Sequence, residues 1–471
     1  MALTDVMPQL RHAQQEWSRR SIAEKARIFR RFRHLLVSSQ QEIIDTITIP
    51  QRQSLETLTA EILPLAEACQ FLERVAGRAL SPKKLSRRGQ PLWMPGAKVW
   101  ELRQPHGIVL VVGPSNYPLF LPGVQVLQGL MAGNGIILKP GRLAQPVSDL
   151  LKRLLVEAGL PEDLMYVTGE SHAEVAEVLA QRPDFVVMTG SVGGGQAVLK
   201  LASEQLIPGT FELSGRDAMY LLPDASFQLA AQCLAFGLMI NGGATCMAPR
   251  KVYCPLGRLN ELVNLFQQEV GHRGGSCAVD RVHAEPAIQT LEQTVAQGGQ
   301  VLAGSWSLEE DWQPVLLGNL AADAAVLHSD LFVPVATVFE YQSIEELLAE
   351  DRKSDYALSA SIFGNTEKAM HLARQLSTGC VVINDLIAPT ADPRVAFGGN
   401  RWSGYGRTRG IPGLMEMTTL QVIVSPRGRW KPHLGVKVSE NLLSGLARWC
   451  HGAGATAREG LWQMLKNLWS R

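Results

Sequence analysis

The 471-residue chain has no surplus of charge, no cysteine-pairing pattern and no unbroken apolar span, and each shortage removes a class of function. Forty-five basic against 44 acidic residues leave a formal net charge of +1, so no overall field draws the protein to nucleic acid or another polyanion. The expected partner is a small molecule. Cys69, Cys233, Cys246, Cys254, Cys277, Cys380 and Cys450 are odd in number and never spaced Cys-x-x-Cys, which suits neither a disulfide framework nor a zinc site. A reducing, cytoplasmic setting is expected. The first residues carry charges and lack the continuous apolar core of a secretory signal, so they are expected to stay in the mature protein.

One segment imitates a membrane span, because no Asp, Glu, Lys or Arg occurs between Arg103 and Lys139. Pro114, Pro118, Pro122 and several glycines interrupt it, which excludes a single apolar helix. It reads as strand, loop, helix and strand, with Gly107–Gly113 and Gly135–Lys139 as buried parallel strands. The alternation continues with a helix over Pro146–Ala158, a strand over Leu164–Thr168, a helix over Glu174–Gln181 and a strand over Phe185–Thr189. This pitch predicts a doubly wound α/β sheet in the first 210 or so residues. With 46% hydrophobic residues, a chain of this length has material for more than one core.

Ligands of such sheets sit beyond the carboxyl ends of the strands. Three loops fall there: Pro114–Pro118, Lys139–Arg142 and Thr189–Gly195. The last is a Gly-rich turn before a predicted helix over Gln196–Ser203, where free N–H groups and the helix dipole favour an anion such as pyrophosphate. No Gly-x-Gly-x-x-Gly is present, and a Gly-rich loop in this place is as often a plain tight turn.

Asn241-Gly-Gly-Ala-Thr-Cys246 is a glycine-softened loop ending in a thiol, and Glu212 precedes that thiol by 34 residues. A nucleophilic thiol with a carboxylate able to activate water is the minimum equipment for oxidising or hydrolysing an acyl group through a thioester. Taken alone, Cys246 reads as a small buried hydrophobe and Glu212 as a solvated strand-end carboxylate. Asn116, between two prolines, reads as an Asx-turn former.

In order along the chain these pieces resemble the aldehyde dehydrogenase superfamily, from about Gln14 to Ile423. The resemblance is carried by Pro114-Ser-Asn116-Tyr-Pro118, Ala132-Gly-Asn134-Gly-Ile-Ile-Leu-Lys139-Pro140, Thr189 to Gly195, Glu212-Leu-Ser-Gly215, Asn241 to Cys246, and Phe397-Gly-Gly-Asn-Arg-Trp-Ser-Gly-Tyr-Gly-Arg407. It implies a small-molecule aldehyde as substrate and NAD or NADP as cofactor. Cys246 is then the nucleophile, Asn116 an oxyanion donor and Glu212 the base that activates water. Pro114, Ser115, Lys139, Arg142, Gly190, Ser191, Gly195, Leu213, Asp330 and Phe332 become the cofactor contacts, with no metal. The implied architecture is an α/β fold with a Rossmann-type cofactor domain (1–80 and 105–205), an α/β catalytic domain (206–383) and a small bridging domain (81–104 and 384–426) through which family members form homodimers.

Departures from the family pattern bear on the cofactor. Arg142 stands where many NAD-using relatives carry a glutamate for the adenosine ribose, which suits NADP or dual use, since a guanidinium pairs with a 2′-phosphate that a carboxylate would repel. Asp330 replaces a longer glutamate expected at the nicotinamide ribose, Val333 a glycine, Ala244 a glutamine and Ser214 a glycine.

Residues 427–471 form a tail with eight Lys or Arg against two acids, Glu440 and Glu459. Leu461, Trp462, Met464, Leu465, Leu468 and Trp469 fall on one helical face, with Leu442, Leu443, Leu446 and Trp449 doing so more loosely, and Gly452 and Gly454 lie between. A basic amphipathic helix with apolar-side tryptophans is expected to touch a membrane surface, or else to pack on the protein. Tails of this kind in relatives acting on fatty aldehydes point to a hydrophobic, lipid-derived substrate. Two other functions stay open: an NADPH-dependent acyl-thioester or acyl-phosphate reductase of the same superfamily, against which Glu212 argues, and a catalytically silent scaffold.

Overall fold

The structure, a computed structural model, describes residues 3–91, 96–426 and 440–469. It divides into two compact units, Met1–Ala79 with Pro105–Thr419, and Leu80–Gln104 with Leu420–Arg471.

The first unit holds three sheets, the smallest being the antiparallel pair Tyr356–Ala357 and Asn400–Arg401. The six-stranded sheet runs Gly404–Tyr405, Gly209–Leu213, Phe185–Gly190, Ile108–Val112, Gly135–Lys139, Met165–Val167. Its strands are parallel except the short Gly404–Tyr405, which pairs antiparallel to Gly209–Leu213. Ile108–Val112 and Gly135–Lys139 are buried throughout, as β-branched and aliphatic runs covered on both faces should be. The seven-stranded sheet runs Gln300–Ser305, Gln313–Gly318, Val335–Tyr341, Pro249–Pro255, Asp217–Leu221, Ser359–Phe363, Cys380–Ile383. The α/β class and the alternation expected from the sequence are present.

The charge-free stretch resolves into the predicted parts. Its helix, Phe120–Ala132, is buried on nearly every side and ends at Gly133, whose φ of +101° suits glycine and little else. Asn134 then ties the connection, accepting from the Gly107 N–H at 3.0 Å and donating to the carbonyls of Gly129 at 3.0 Å and Met417 at 2.9 Å. Among the described residues, no helix is long and apolar enough to cross a membrane.

Register positions the site. Val112 pairs with Lys139 and with Met188, and Thr189 pairs with Glu212. The carboxyl ends of adjacent strands thus bring together loops carrying Asn116, Lys139, Gly190 and Glu212. The boundary expected at residue 206 does not divide the sheets in this way: Gly209–Leu213 belongs to the six-stranded sheet, and the chain passes to the seven-stranded sheet only at Asp217–Leu221. Likewise, residues 384–419 belong to the first unit rather than to a bridging piece. Asn384 exchanges two hydrogen bonds with Gly364, and Gly404 pairs with Glu212, contacts that sequence spacing does not reveal.

The second unit contains a three-stranded sheet ordered Lys83–Lys84, Lys98–Pro105, Thr418–Ser425, and the helices Glu440–His451 and Ala455–Trp469. The two helices touch through glycines: a Cβ on Gly445 would lie 2.8 Å from the Met464 nitrogen, and one on Gly460 would lie 2.5 Å from the Trp449 nitrogen. Trp449 and Trp462 are exposed, whereas Leu442 is buried. The predicted tail residues 427–439 and the side chains of Leu468 and Trp469 lie outside the described residues.

Candidate active site

The Cys246 loop needs its composition. Asn241, Gly242 and Gly243 have φ values of +51°, +59° and +78°, a left-handed run that glycine and asparagine enter with least strain. A Cβ on Gly243 would also overlap the Val333–Pro334 backbone. Asn241 Nδ2 donates to the carbonyls of Asn116 and Ala244, both at 3.1 Å, while Asn116 Nδ2 donates to the same Ala244 carbonyl at 3.0 Å. Tyr117 Oη and Thr245 Oγ1 lie 2.7 Å apart. The Asn116 and Cys246 loops are therefore laced into one surface, and an amide with two N–H donors keeps one to spare beyond Ala244.

Three side chains that motif spacing did not single out fasten this surface from behind. Arg52 donates to the Asn116 carbonyl and lies over the Tyr117 ring at 4.6 Å. Glu61, on the π-helical turn Leu58–Ile62, accepts from the N–H groups of Leu119 at 3.1 Å and Phe120 at 2.6 Å, at the start of the buried helix. Glu56 accepts from the Asn241 N–H at 3.0 Å. Arg52 and Glu61 face each other at 3.6 Å, fully buried, so each supplies the counter-charge the other needs in a dry interior.

Glu212 lies on Gly209–Leu213, 3% exposed. Its Oε2 accepts from Thr408 Oγ1 at 2.7 Å, and its Oε1 is buried with no protein partner. Burial raises its pKa, and the Arg409 charge and the Thr408 hydroxyl pull it back down. Burial likewise pushes the Cys246 thiol far above the usual range, Glu212, Asp217 and Asp330 add to the rise, and Arg409 opposes it. Burial thus favours the thiol form at rest, and the form that attacks is the thiolate. Asp217, raised to about 7 chiefly by burial, is held by the Ser359 hydroxyl and by the Ser359 N–H at 3.0 Å. Arg250 donates to the carbonyls of Val333 and Gly243, both at 2.5 Å, and so joins the Cys246 loop to the loop carrying Asp330.

A cavity of about 850 Å³ collects Cys246, Glu212 and Asn116 with Pro114, Ser115, Lys139, Arg142, Gly190, Ser191, Leu213, Asp330 and Phe332. Gly195 alone of the expected cofactor residues is not on its wall; it lies beneath, where a Cβ would overlap Leu213. The Gly-rich turn opens the helix Val192–Glu204, longer at its start than the predicted one, with Ser191 Oγ accepting from the Gly194 N–H at 3.1 Å. A Cβ on Gly141 would strike the Pro114 carbonyl, so glycine there lets two cavity loops meet.

Two departures noted in the sequence compensate each other. The Ser214 hydroxyl helps hold down the pKa of the shorter Asp330, which burial raises, and Asp330 Oδ1 is left buried and unpartnered at the cavity. That orphaned acceptor fits a ribose hydroxyl, and with the Gly-rich helix start the cavity fits a dinucleotide. Arg142 is not free: its guanidinium pairs with Asp280, which caps the helix Arg281–Ala296. Burial lowers the Lys139 pKa, and Glu170 and Glu174 oppose the shift. Asp280, Ser214's partnership, Thr408 and Arg409 escaped sequence reasoning because their partners are far along the chain.

The sequence profile of the aldehyde dehydrogenase family matches residues 3–423. The chain belongs to that family, and it is an NAD(P)-dependent aldehyde dehydrogenase. It is 29% identical to 4,4'-diapolycopene aldehyde oxidase of Methylomonas sp over 85% of this chain and 77% of that protein. It is 26% identical to a putative succinate-semialdehyde dehydrogenase [NADP(+)] of Mycobacterium tuberculosis (strain ATCC 25618 / H37Rv), over 88% and 83% of the two chains. A succinic semialdehyde dehydrogenase from Streptococcus pyogenes, solved with NADP+, shares the fold with a TM-score of 0.83 at 21% identity, over 90% of this chain and 95% of that one.

Proposed function

We propose that this enzyme oxidises an apolar aldehyde to the free carboxylic acid through a covalent intermediate on Cys246. The observation that carries the reading is the convergence of Cys246, the Asn116 amide and Glu212 on one cavity wall, with an orphaned oxygen on Glu212. Cys246, its proton released to bulk water, attacks the aldehyde carbon as the thiolate. The spare N–H of the Asn116 amide and the Cys246 backbone N–H steady the negative charge that develops on oxygen. NAD(P)+, with its nicotinamide end at Asp330, Phe332 and Ser214, would supply the acceptor for the hydride lost as the Cys246 adduct becomes a thioester. Glu212 takes a proton from water, which hydrolyses the thioester and frees the thiol. Its raised pKa suits a group that must both accept and return that proton. The intact Glu212 disfavours a reductase that keeps its thioester for another acceptor.

Asp330, Phe332 and Ser214 would hold the nicotinamide end, and Ser115, Lys139 and Arg142 the adenosine end. Arg142 supports NADP or dual use, with a 2′-phosphate taking the place of the Asp280 carboxylate as its partner. Charge-assisted hydrogen bonds are worth about 1.5–3 kcal/mol, so Arg142→Ala should weaken NADP+ by roughly tenfold to a hundredfold and leave NAD+ nearly unchanged. Equal losses for the two cofactors in initial-rate titrations would reject this role.

An apolar substrate is supported by the basic tail helices, on which Trp449 and Trp462 are exposed. The relative named for 4,4'-diapolycopene aldehyde agrees with it, and the one named for succinate semialdehyde marks the opposing case. An initial-rate matrix of both cofactors against short aliphatic, aromatic and long-chain aldehydes tests the reading. A preference for short, charged aldehydes contradicts it.

Homodimer formation is supported by the edge strand Thr418–Ser425, which exposes Leu420, Val422, Ile423 and Val424. Contact with a membrane surface is supported by exposed Trp449 and Trp462 on helices that also carry Arg448, Arg458 and Lys466. Full-length protein should sediment with anionic liposomes, and a chain ending at Pro426 should stay in solution. Equal solubility of the two sinks the membrane role.

A further inference from the structure

The reaction proposed above needs two anions close together in a site with little water: the Cys246 thiolate and the Glu212 carboxylate. Like charges brought together in a low-dielectric pocket resist ionisation unless a cation faces them. Titratable groups whose charge or hydroxyl bears on the thiol are the acids Glu212, Asp217 and Asp330, the Tyr117 phenol, and the cations Arg409 and Arg250. Arg250 is committed elsewhere, with its Nη atoms on the Val333 and Gly243 carbonyls and its charge set against Asp330 and Asp217.

Arg409 is placed differently. It follows Thr408, whose hydroxyl holds Glu212, and it has a left-handed φ of +59° at the start of the helix Gly410–Glu416. Its side chain is 5% exposed, stacks over Phe397 at 4.3 Å, and donates from Nη1 to the Thr390 carbonyl at 2.8 Å. Its Nε is buried with no partner. No carboxylate forms an ion pair with it within 4.0 Å among the described residues, so its charge stays available to the acids of the site.

Resting on the Cys246 and Glu212 assignments, we infer that Arg409 is a positioning residue whose charge lets the thiolate and the carboxylate exist together beside the substrate. The residue acts at a distance, through charge, and touches neither substrate nor cofactor in this account. Arg409→Gln keeps a donor for Thr390 and removes the charge; Arg409→Lys keeps the charge and changes the shape.

The test is the pH profile of Cys246 alkylation by iodoacetamide in the full chain, read by peptide mass spectrometry. An opposite charge nearby lowers an acid's pKa by roughly 1–3 units, so R409Q should move the profile up by about one unit or more and slow alkylation at neutral pH about tenfold. R409K should follow the parent profile. A superimposed R409Q profile overturns the inference, and so does an R409K profile displaced as far as that of R409Q, which would make the role one of shape. Full turnover in a C246A protein would instead remove the nucleophile assignment, a failure distinguishable from either.

Discussion

Cys246→Ala is expected to lower kcat by about four orders of magnitude or more, since removing a nucleophile abolishes the covalent route and leaves only positioning. Binding should survive. The Cys246 loop is shaped by Asn241, Gly242 and Gly243 and held by Arg250 and Asn116, none of which bonds to the sulfur. Cofactor titration followed by protein fluorescence should therefore give a Kd within about twofold of the parent. A variant that lost cofactor binding along with turnover would show instead that the cysteine is structural.

Glu212→Gln is expected to separate the two halves of the reaction. Thioester formation needs the thiolate and the oxyanion donors, whereas hydrolysis needs a base, and a general base contributes about 10²- to 10⁴-fold. The first turnover should give a burst of NAD(P)H near one equivalent per site, followed by a steady state slower by that factor. Glutamine retains the volume and can still accept from Thr408, so the strand pairing of Gly209–Leu213 with Phe185–Gly190 and Gly404–Tyr405 should hold. Unchanged circular dichroism checks this. A parental steady-state rate would remove Glu212 from the mechanism, and loss of the burst would place its role before the thioester.

The parts of the site legible in the sequence are those whose requirement is local. A left-handed Asn-Gly-Gly run must be written with those residue types, and buried parallel strands must be written in Val, Ile and Leu, so the Cys246 loop and the six-stranded sheet leave their mark in short stretches. Thr408 was invisible because its partner Glu212 is 196 residues away. The counter-charges Arg52 and Glu61 belong to no motif, and only the fold brings them face to face in the interior. Arg142 shows the same limit: residue type suggested a phosphate, but the fold supplies Asp280, 138 positions on, as its present partner. The two sheets part beyond residue 206 for a related reason, because a strand's sheet is chosen by pairing and Gly209–Leu213 pairs with Phe185–Gly190. Ser214 and Asp330, two departures from the family pattern, act together, the added hydroxyl opposing the effect of burial on the shorter carboxylate.

Intact-protein mass spectrometry of Glu212→Gln after mixing with aldehyde and NAD(P)+ shows directly whether Cys246 carries the acyl group. The expectation is an adduct equal to the aldehyde mass less two hydrogens, located on Cys246, formed with one equivalent of NAD(P)H and absent when Cys246 is also replaced by alanine. Stoichiometric NAD(P)H with no adduct, or an adduct on another residue, would contradict it.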